Sequence, residues 1–172
     1  MLKIINREDF DSVFKIMKEA FPETEIRTYE AQERLFKNDS YKIMIRTNEK
    51  NDIEAFLAFW DFKDFTYAEH FAVKKELRGK GIGKEILKDF FKNITLPLIF
   101  EVEPPLKPKA VSRIKFYKNL GCHMNDFEYI QPPLKGNQPA IPLKIMTYPE
   151  KITEKDFLRI KGLLYKEVYN IH

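Results

Sequence analysis

Residues 69–91 read EHFAVKKELRGKGIGKEILKDFF and contain a change from one structural pattern to another. The aromatic and β-branched residues of 65–73 predict a strand, and the glycines that follow it predict a loop. Apolar residues then recur at helical spacing, which predicts a helix from Gly81 or Ile82 to about Asn93. The segment therefore predicts a strand, a loop and a helix in succession.

The segments on either side extend this pattern into a sheet. Two earlier runs, 41–46 and 53–60, predict strands that precede 65–73 in an antiparallel succession. A buried strand over 98–103 follows the helix, so the order strand, helix, strand predicts a parallel pair joined by a right-handed crossover. The remaining patterns predict strands over 2–6, 122–130 and 143–148, a loop over 131–142, and helices after Asn6 as far as Phe21, over 29–37 and over 109–120. A last helix is predicted from Thr153 onward, because the spacing of Thr153 and Asp156 resembles a capping box.

Length and composition predict a single soluble domain. The chain has 172 residues, of which 44% are hydrophobic and 14% aromatic, and this suits one domain over 1–172 with a C-terminal helical extension over 150–172. No apolar run approaches the roughly 20 residues of a membrane span, and the first residues meet charge too early for a secretory signal. We therefore expect a cytoplasmic protein without a membrane partner.

The cysteine and histidine content argues against a metal site. Cys122 is the single cysteine, so an internal disulfide and a cysteine-based zinc site are excluded. His70, His123 and His172 are too far apart for helical metal-ligand spacing. We expect no metal, and we expect Cys122 to be an inert thiol of the core.

The formal net charge of +4 is concentrated in one segment. Residues 74–92 carry seven basic and three acidic residues, so the rest of the chain balances. This concentration favours an anionic ligand, although a solvated helix face gives the same pattern. The basic residues alternate with acidic ones and no other basic stripe supports them, so we expect no nucleic-acid partner.

The loop Arg78-Gly79-Lys80-Gly81-Ile82-Gly83 lies between a strand and a helix, where backbone N–H groups and the positive helix end favour a phosphate. A Walker A loop would need glycine at 78 and Ser or Thr at 85, but the chain has Arg78 and Glu85. The dinucleotide pattern G-x-G-x-x-G also fails, because Lys84 and Ile86 stand where its last glycine is required. These mismatches argue against a P-loop nucleotide site and a nicotinamide cofactor.

A different phosphate loop fits the same residues. Arg78-x-x-Gly81-x-Gly83 matches the pattern (Gln/Arg)-x-x-Gly-x-(Gly/Ala). With Glu69-His70-Phe71-Ala72-Val73 before it and Phe116-Tyr117-Lys118-Asn119-Leu120-Gly121 after it, the match resembles the GCN5-related N-acetyltransferase (GNAT) family. The resemblance covers about 2–148. The chain is especially similar to a bacterial subgroup that shares the segments EVEPP, QPP and YP, found here at 101–105, 131–133 and 148–149.

The resemblance implies a fold and an activity. The implied fold is α/β (α+β), with a mixed, mostly antiparallel central sheet, a splayed parallel strand pair, helices on both faces and an extra C-terminal helix. The implied activity is N-acetyl transfer directly from acetyl-CoA to a primary amine, with acid and base assistance. The amine belongs to a small molecule or a peptide, which the sequence does not identify. A catalytically silent acyl-CoA sensor is the alternative.

The resemblance also implies which residues hold acetyl-CoA. The backbone amides from Arg78 to Lys84 are expected to hold the pyrophosphate, and the main chain of Phe71 and Val73 is expected to pair with the pantetheine arm as another strand would. The expected cofactor-binding residues are Phe71, Ala72, Val73, Arg78, Gly79, Lys80, Gly81, Ile82, Gly83, Lys84 and Tyr117.

Two residues are expected to move protons. Tyr117 is the candidate donor to the departing CoA thiolate, because the family's Phe-Tyr-x-x-Leu-Gly segment places its tyrosine near the sulfur. The alternative for Tyr117 is an aromatic at the core edge whose hydroxyl bonds to backbone. Glu69 is the candidate base, on the same strand face as Phe71 and Val73, and a structural or exposed Glu69 is the competing interpretation. His70, on the opposite face, is the alternative base.

Two further carboxylates stand at the end of the second parallel strand. Glu101 and Glu103 share one strand face there, where ligands of open α/β sheets gather. Each is a candidate to hold a cationic amine or to replace Glu69 as base, and a solvated strand end is the alternative. We expect Arg113 to contact the substrate or these two glutamates.

The sequence leaves the acceptor and the assembly open. The loops over 22–40 and 131–142 are expected to select the amine. Tyr165 and Tyr169 lie on the C-terminal helix, which packs on its own domain or on a second subunit, so a homodimer is among the expected states.

Overall fold

A computed structural model of the chain describes residues 2–136 and 138–171. The chain forms two compact units that divide between Leu96 and Pro97. Within the described residues, the first unit holds four strands and three α-helices, and the second holds four strands and two α-helices. None of these helices is long and apolar enough to cross a membrane.

The first unit is built on an antiparallel sheet. Its strands are β1 (Leu2–Ile4), β2 (Tyr41–Thr47), β3 (Ile53–Asp61) and β4 (Thr66–Val73), paired in that order. Its helices are α1 (Phe10–Ala20), α2 (Tyr29–Arg34) and α3 (Ile82–Asn93). Short 3₁₀ turns cover Arg7–Asp9, Glu23–Glu25, Leu35–Lys37 and Lys75–Leu77. The predicted helix over 29–37 is thus a short α-helix that ends in a 3₁₀ turn.

Helices cover both faces of this sheet. The ring of Phe21, directly after α1, contacts the ring of His70 on β4 with a centroid distance of 4.8 Å. The ring of Phe90 on α3 contacts Phe59 on β3 at 5.1 Å. Because Phe59 follows Ala58, the register partner of His70, these contacts lie on opposite faces. On α3, the buried stripe comprises Ile86, Leu87, Phe90 and Phe91, as its spacing predicts.

One extra residue interrupts the pairing of β3 with β4. Ala58 lies opposite His70 and Phe59 lies opposite Ala68, so Glu69 has no partner in the register. A β-bulge of this kind bends the strand and re-aims the side chains beside it. It falls on the predicted base, so it changes the direction in which the Glu69 side chain points.

The second unit is arranged around its longest strand. Its strands are β5 (Leu98–Val102), β6 (His123–Met124), β7 (Tyr129–Gln131) and β8 (Ile141–Tyr148), and the first three each pair with β8 antiparallel. Its helices are α4 (Pro108–Lys118) and α5 (Glu154–Glu167). Apolar residues of α5 are buried at Phe157, Ile160 and Leu164.

The single strand predicted over 122–130 is wrong, because two strands, β6 and β7, lie there instead. The buried side chain of Asn125 accounts for the break. Its Nδ2 donates to the Ile145 carbonyl at 3.3 Å and to Thr147 Oγ1 at 3.0 Å, and its Oδ1 accepts from the Ile152 N–H at 3.2 Å. These side-chain hydrogen bonds replace strand pairing at Asn125, so the chain can end β6 there and begin β7 four residues later.

The predicted fold class is confirmed. The chain has a mixed α/β architecture with mostly antiparallel strands, helices on both faces of the first sheet and an extra C-terminal helix, α5. Thr153 caps α5 as its sequence predicts, because its side-chain oxygen accepts from the Asp156 N–H at 3.1 Å.

Candidate active site

The glycine-rich loop lies between β4 and α3, as predicted. Gly79 and Gly81 have φ angles of 77° and 84°, in the left-handed region that favours glycine. A Cβ at either position would meet no heavy atom within 4 Å. The backbone conformation, and not crowding, therefore explains glycine at these two positions. Residues 78–81 are exposed to solvent.

The start of α3 presents unpaired backbone donors. The N–H of Glu85 donates to the Gly81 carbonyl at 3.1 Å, which is the first turn of the helix. The N–H groups that precede Glu85 in this turn lack a partner within the helix, and they lie at its positive end. An exposed loop followed by such donors is a suitable site for a phosphate group.

Gly83 brings the helix start close to β4. A Cβ on Gly83 would lie 3.5 Å from both the Phe71 Cζ and the Val73 Cγ2. These distances are ordinary van der Waals contacts, so alanine fits there and a larger side chain meets the two β4 residues. The structure thus brings the predicted loop and the predicted β4 residues together within one unit.

One backbone group of β4 already has a partner. The Nε of Arg78 donates to the Val73 carbonyl at 2.9 Å, which folds the loop back onto the strand end. A pantetheine amide that pairs with this carbonyl competes with Arg78. The predicted pairing of Val73 with the pantetheine arm therefore requires Arg78 to share or release the Val73 carbonyl.

Arg46 forms an ion pair with the acidic residue nearest the glycine-rich loop. Glu85 is the acidic residue in the first turn of α3, where its carboxylate opposes an anionic ligand. Arg46 Nη1 contacts the Glu85 carboxylate at 2.7 Å, and Arg46 Nε contacts Glu54 at 3.1 Å. Arg46 therefore compensates the acidic residue nearest the predicted phosphate site, although exposure of Glu85 weakens the pairing.

The structure corrects the predicted orientation of Glu69. Its carboxylate accepts from Arg27 Nη1 at 2.5 Å and from Trp60 Nε1 at 3.1 Å. It also lies 4.0 Å from the Nδ1 of His70, the residue expected on the opposite face. Phe71 instead faces α3, so Glu69 does not share a face with Phe71. The extra residue in β4 explains the difference.

Burial and ion pairing define the state of Glu69. Its side chain is 3% exposed and that of Arg27 is 7% exposed. Burial alone raises the pKa of Glu69, but the charge of Arg27 and the hydrogen bonds from Arg27 and Trp60 outweigh it and lower the pKa below its usual value. A carboxylate held in this way keeps its charge and accepts a proton poorly.

His70 is buried and neutral. Its Nε2 lies 2.7 Å from the Glu25 carbonyl, so Nε2 carries the proton and donates. Its Nδ1 has no hydrogen-bond partner in the described part of the chain. Burial lowers the pKa of His70, against the opposing effects of Glu69 and the Glu25 carbonyl. Its ring links β4 to the segment that follows α1.

In the second unit, Tyr117 presents an available hydroxyl. Its ring packs against Phe100 at a centroid distance of 4.7 Å and against Phe116 at 5.3 Å. The hydroxyl bonds to no residue within 2–136 or 138–171, so the expected alternative of a backbone bond is not observed. Burial, opposed by Arg113, raises the pKa of Tyr117 to about 12. The phenol is therefore protonated at neutral pH, as a proton donor must be.

The two candidate glutamates, Glu101 on β5 and Glu103 directly after it, have different partners. Glu101 accepts hydrogen bonds from the phenols of Tyr129 and Tyr169. Glu103 pairs with Arg113 Nη1 at 3.2 Å, and both side chains are 43% exposed. The contact predicted for Arg113 is therefore present at Glu103.

Cys122 is unsuited to a covalent mechanism. Its side chain is buried, and burial raises the pKa of its thiol to about 12. A protonated, buried thiol is a poor nucleophile at neutral pH. The inert role predicted for Cys122 agrees with this environment.

Arg27, Tyr129 and Tyr169 were not predicted as site residues. Each contacts a predicted glutamate from a segment far away in the sequence, with separations of 42, 28 and 68 residues. No local pattern marks such pairs. The one signal was their type, since an arginine or tyrosine that becomes buried needs a polar partner.

The chain is similar in sequence and in fold to known acetyltransferase-like proteins. Residues 39–121 match a family model described as an acetyltransferase (GNAT) domain. A protein from Bacteroides thetaiotaomicron that is assigned to the GNAT family has a TM-score of 0.92 and 28% identity, with 100% of this chain and 99% of that chain covered. No curated protein sequence matches the chain.

Two more distant structures share the fold. The ribosomal-protein-S18-alanine N-acetyltransferase from Escherichia coli has a TM-score of 0.61 and 19% identity, with 91% of this chain and 97% of that chain covered. A phosphinothricin acetyltransferase from Sinorhizobium meliloti, solved with AcCoA, has a TM-score of 0.62 and 19% identity, with 90% and 93% covered. Together with the loop geometry, the domain match over 39–121 and the full-length likeness support membership of the GCN5-related N-acetyltransferase (GNAT) superfamily.

Proposed function

We propose that the protein transfers an acetyl group from acetyl-CoA to a primary amine. The observation that carries this proposal is the loop over 78–84, which is exposed at 78–81, has left-handed Gly79 and Gly81, and leads to N–H groups without an intrahelical partner at the start of α3. In this proposal the loop amides hold the pyrophosphate. The β4 residues Phe71, Ala72 and Val73 line the pantetheine arm.

The proposed step is a direct transfer. The neutral amine nitrogen attacks the thioester carbonyl carbon, a C–N bond forms, and the C–S bond breaks as CoA leaves as a thiolate. The nitrogen then loses one proton and the thiolate gains one, so the products are an amide and CoA. Direct transfer suits a chain whose single cysteine, Cys122, is buried and has a raised pKa.

Tyr117 is the proposed donor of the thiolate's proton, because its phenol is protonated at neutral pH and its hydroxyl is not used within the described residues. The contacts of Glu69 with Arg27 and Trp60 favour a structural role for that carboxylate. Glu101 and Glu103 are then the remaining candidate carboxylates for contact with the amine.

The acceptor is a small molecule or a peptide amine in this proposal. The names of two structural neighbours illustrate the range: one acts on an alanine of ribosomal protein S18, and another, from Vibrio cholerae, acts on spermidine. We propose that residues 1–172 act as one acetyltransferase domain, that the reaction takes place in the cytoplasm, and that the protein requires no metal.

A pair of substitutions at Gly81 tests the phosphate loop. Asn and Asp tolerate the left-handed conformation better than other non-glycine residues, and the position has room for a side chain. Gly81→Asn and Gly81→Asp differ mainly by one negative charge. We expect the Asp variant to bind acetyl-CoA at least about tenfold more weakly than the Asn variant, because a carboxylate repels the pyrophosphate.

Calorimetric titration of acetyl-CoA into both variants and the unmodified protein measures this difference. Thermal unfolding of each variant is the control for folding. Equal affinities of two folded variants would place the pyrophosphate elsewhere. No binding to the unmodified, folded protein would overturn the proposed function itself.

A further inference from the structure

Two side-chain contacts join α4 to β5 and to the residue directly after it. The ring of Tyr117 packs on the ring of Phe100 with a centroid distance of 4.7 Å. Arg113 Nη1 pairs with the Glu103 carboxylate at 3.2 Å. Because Arg113 and Tyr117 are four residues apart on one helix, their side chains lie on the same face of α4. The proposed proton donor therefore has a cation one helical turn away.

Arg113 is the charged group that acts on the phenol of Tyr117. Within the part of the chain that the structure describes, the ionisable groups that affect the pKa of Tyr117 are Arg113 and the thiol of Cys122. The thiol is neutral at ordinary pH, because burial raises its pKa to about 12. Glu101 follows Phe100 on β5, so it lies on the other face of that strand, where two other phenols donate to it.

The proposed proton transfer creates a negative charge on Tyr117. The phenol O–H bond breaks, an S–H bond forms, and the charge moves from the CoA sulfur to the phenolate oxygen. The proton that the product nitrogen loses then restores the phenol. The neutral phenol and the neutral amide product therefore balance the reaction, and the charged phenolate exists between the two proton transfers.

Burial makes this phenolate costly. The pKa of Tyr117 is raised to about 12 even with Arg113 beside it, whereas an alkyl thiol has a pKa of about 8.5. Transfer from such a phenol to a thiolate is unfavourable by a factor of more than about a thousand. A positive charge near the phenolate oxygen reduces this cost, and a negative charge that pairs with the same cation weakens the reduction.

Building on the proposed function, we propose that Arg113 is a positioning residue that stabilises the Tyr117 phenolate as CoA takes its proton, and that Glu103 limits this effect by pairing with the same guanidinium. The side chains of Arg113 and Glu103 are each 43% exposed. Solvent therefore screens both charges in part, and the effect on Tyr117 is moderate.

A competing explanation is that the ion pair only fastens α4 to the end of β5. In that case Arg113→Met and Glu103→Gln break the same contact, so they change the protein in the same way. In the proposed role they act on Tyr117 in opposite directions, because one removes the cation and the other removes its counter-charge. The direction of the change separates the two explanations.

A direct titration of the residue at position 117 measures that direction. A trifluorotyrosine incorporated in place of Tyr117 ionises at a lower pH than tyrosine, so fluorine NMR can follow its ionisation while the protein is folded. We expect Arg113→Met to raise the pKa of this residue by about 0.5–1, and Glu103→Gln to lower it by a smaller amount. Thermal unfolding of each variant checks that it is folded.

Two further variants control for charge and for the helix. Arg113→Lys keeps the positive charge and should keep most of its effect on the titration. Lys115→Met removes one exposed positive charge from α4, but a residue two positions before Tyr117 does not face it. The pKa at position 117 should therefore stay unchanged in Lys115→Met.

Kinetics test whether Arg113 acts through the phenol. We expect Arg113→Met to lower kcat by about threefold, because it weakens the acid, and to leave the affinity for acetyl-CoA unchanged. In a Tyr117→Phe background the same substitution should lower kcat no further, because the group through which it acts is absent.

Two results would overturn the inference while transfer itself proceeds. The first is a titration that Arg113→Met leaves unchanged or moves in the same direction as Glu103→Gln. The second is a loss of kcat from Arg113→Met that persists in full in the Tyr117→Phe background. The titration needs no turnover, so it remains informative by itself. A folded, unmodified protein that binds acetyl-CoA and acetylates no amine would instead overturn the proposed function, and the role of Arg113 with it.

Discussion

Arg27→Met is expected to lower the free energy of unfolding by about 3–5 kcal/mol, because it leaves the Glu69 carboxylate buried without its cation. The Nη1 of Arg27 also lies 3.4 Å from Gln32 Oε1, and Gln32 donates to the buried hydroxyl of Tyr41 at 2.6 Å. The substitution therefore disturbs a connected set of buried polar groups. Denaturant unfolding at neutral pH measures the loss.

A second substitution separates the charge from the packing. Glu69→Gln removes the buried charge and keeps an acceptor for Trp60 Nε1. We expect Arg27→Met/Glu69→Gln to regain at least about half of the stability that Arg27→Met loses, since a neutral amide carries a smaller desolvation cost. A double variant no more stable than Arg27→Met would contradict a role for the ion pair.

The contribution of Glu69 to stability should depend on pH with opposite sign in the unmodified protein and in Arg27→Met. In the unmodified protein the pKa of Glu69 is lowered, so its contribution to stability is present above the unfolded-state pKa of about 4.3 and is lost as pH falls below it. In Arg27→Met the positive charge that lowers the pKa of Glu69 is absent, so burial raises this pKa. As pH falls, protonation of Glu69 removes the unpaired buried charge in the variant. The difference in the free energy of unfolding between Arg27→Met and the unmodified protein should therefore become smaller between about pH 7 and pH 5.

Tyr117→Phe is expected to lower kcat by about a hundredfold, because it removes the proposed proton donor to the CoA thiolate. The stability of the variant should change little, since the hydroxyl forms no hydrogen bond within the described residues. The ring contacts with Phe100 and Phe116 are retained by phenylalanine. Steady-state kinetics with a saturating amine measures the effect.

Two controls make this result specific. The affinity for acetyl-CoA should stay within about threefold of the unmodified value, because the phosphate loop lies on other residues. Tyr165→Phe removes a hydroxyl that donates to backbone, and it should leave kcat nearly unchanged. A kcat for Tyr117→Phe within about threefold of the unmodified protein would exclude Tyr117 as the proton donor.

Local sequence patterns accounted for much of the fold and for the loop. The helix α3 could be predicted because its apolar residues repeat at helical spacing after a glycine turn. Gly81 could be assigned to a phosphate loop because glycine supplies a left-handed conformation directly before a helix start. Thr153 could be recognised as a cap from its spacing to Asp156.

The errors arose where distant residues decide local structure. The bulge at Glu69 depends on the register of β3 against β4, and a single extra residue moved the side chain to the other face. Asn125 interrupts a predicted strand because it bonds to β8, which lies about 20 residues later. The Glu101–Tyr169 contact joins residues 68 positions apart. No periodicity within one element carries this information.

The most direct test of the central claim is a transfer assay with the unmodified protein. Acetyl-CoA and a panel of diamines, alkylamines and peptides are incubated with the protein, free CoA thiol is quantified, and acetylated amine is identified by mass spectrometry. The account predicts amine-dependent release of CoA with formation of the matching amide, and a lower rate in Gly81→Asp than in Gly81→Asn. Acetyl-CoA that binds but stays intact with every amine would contradict it and indicate an acyl-CoA sensor.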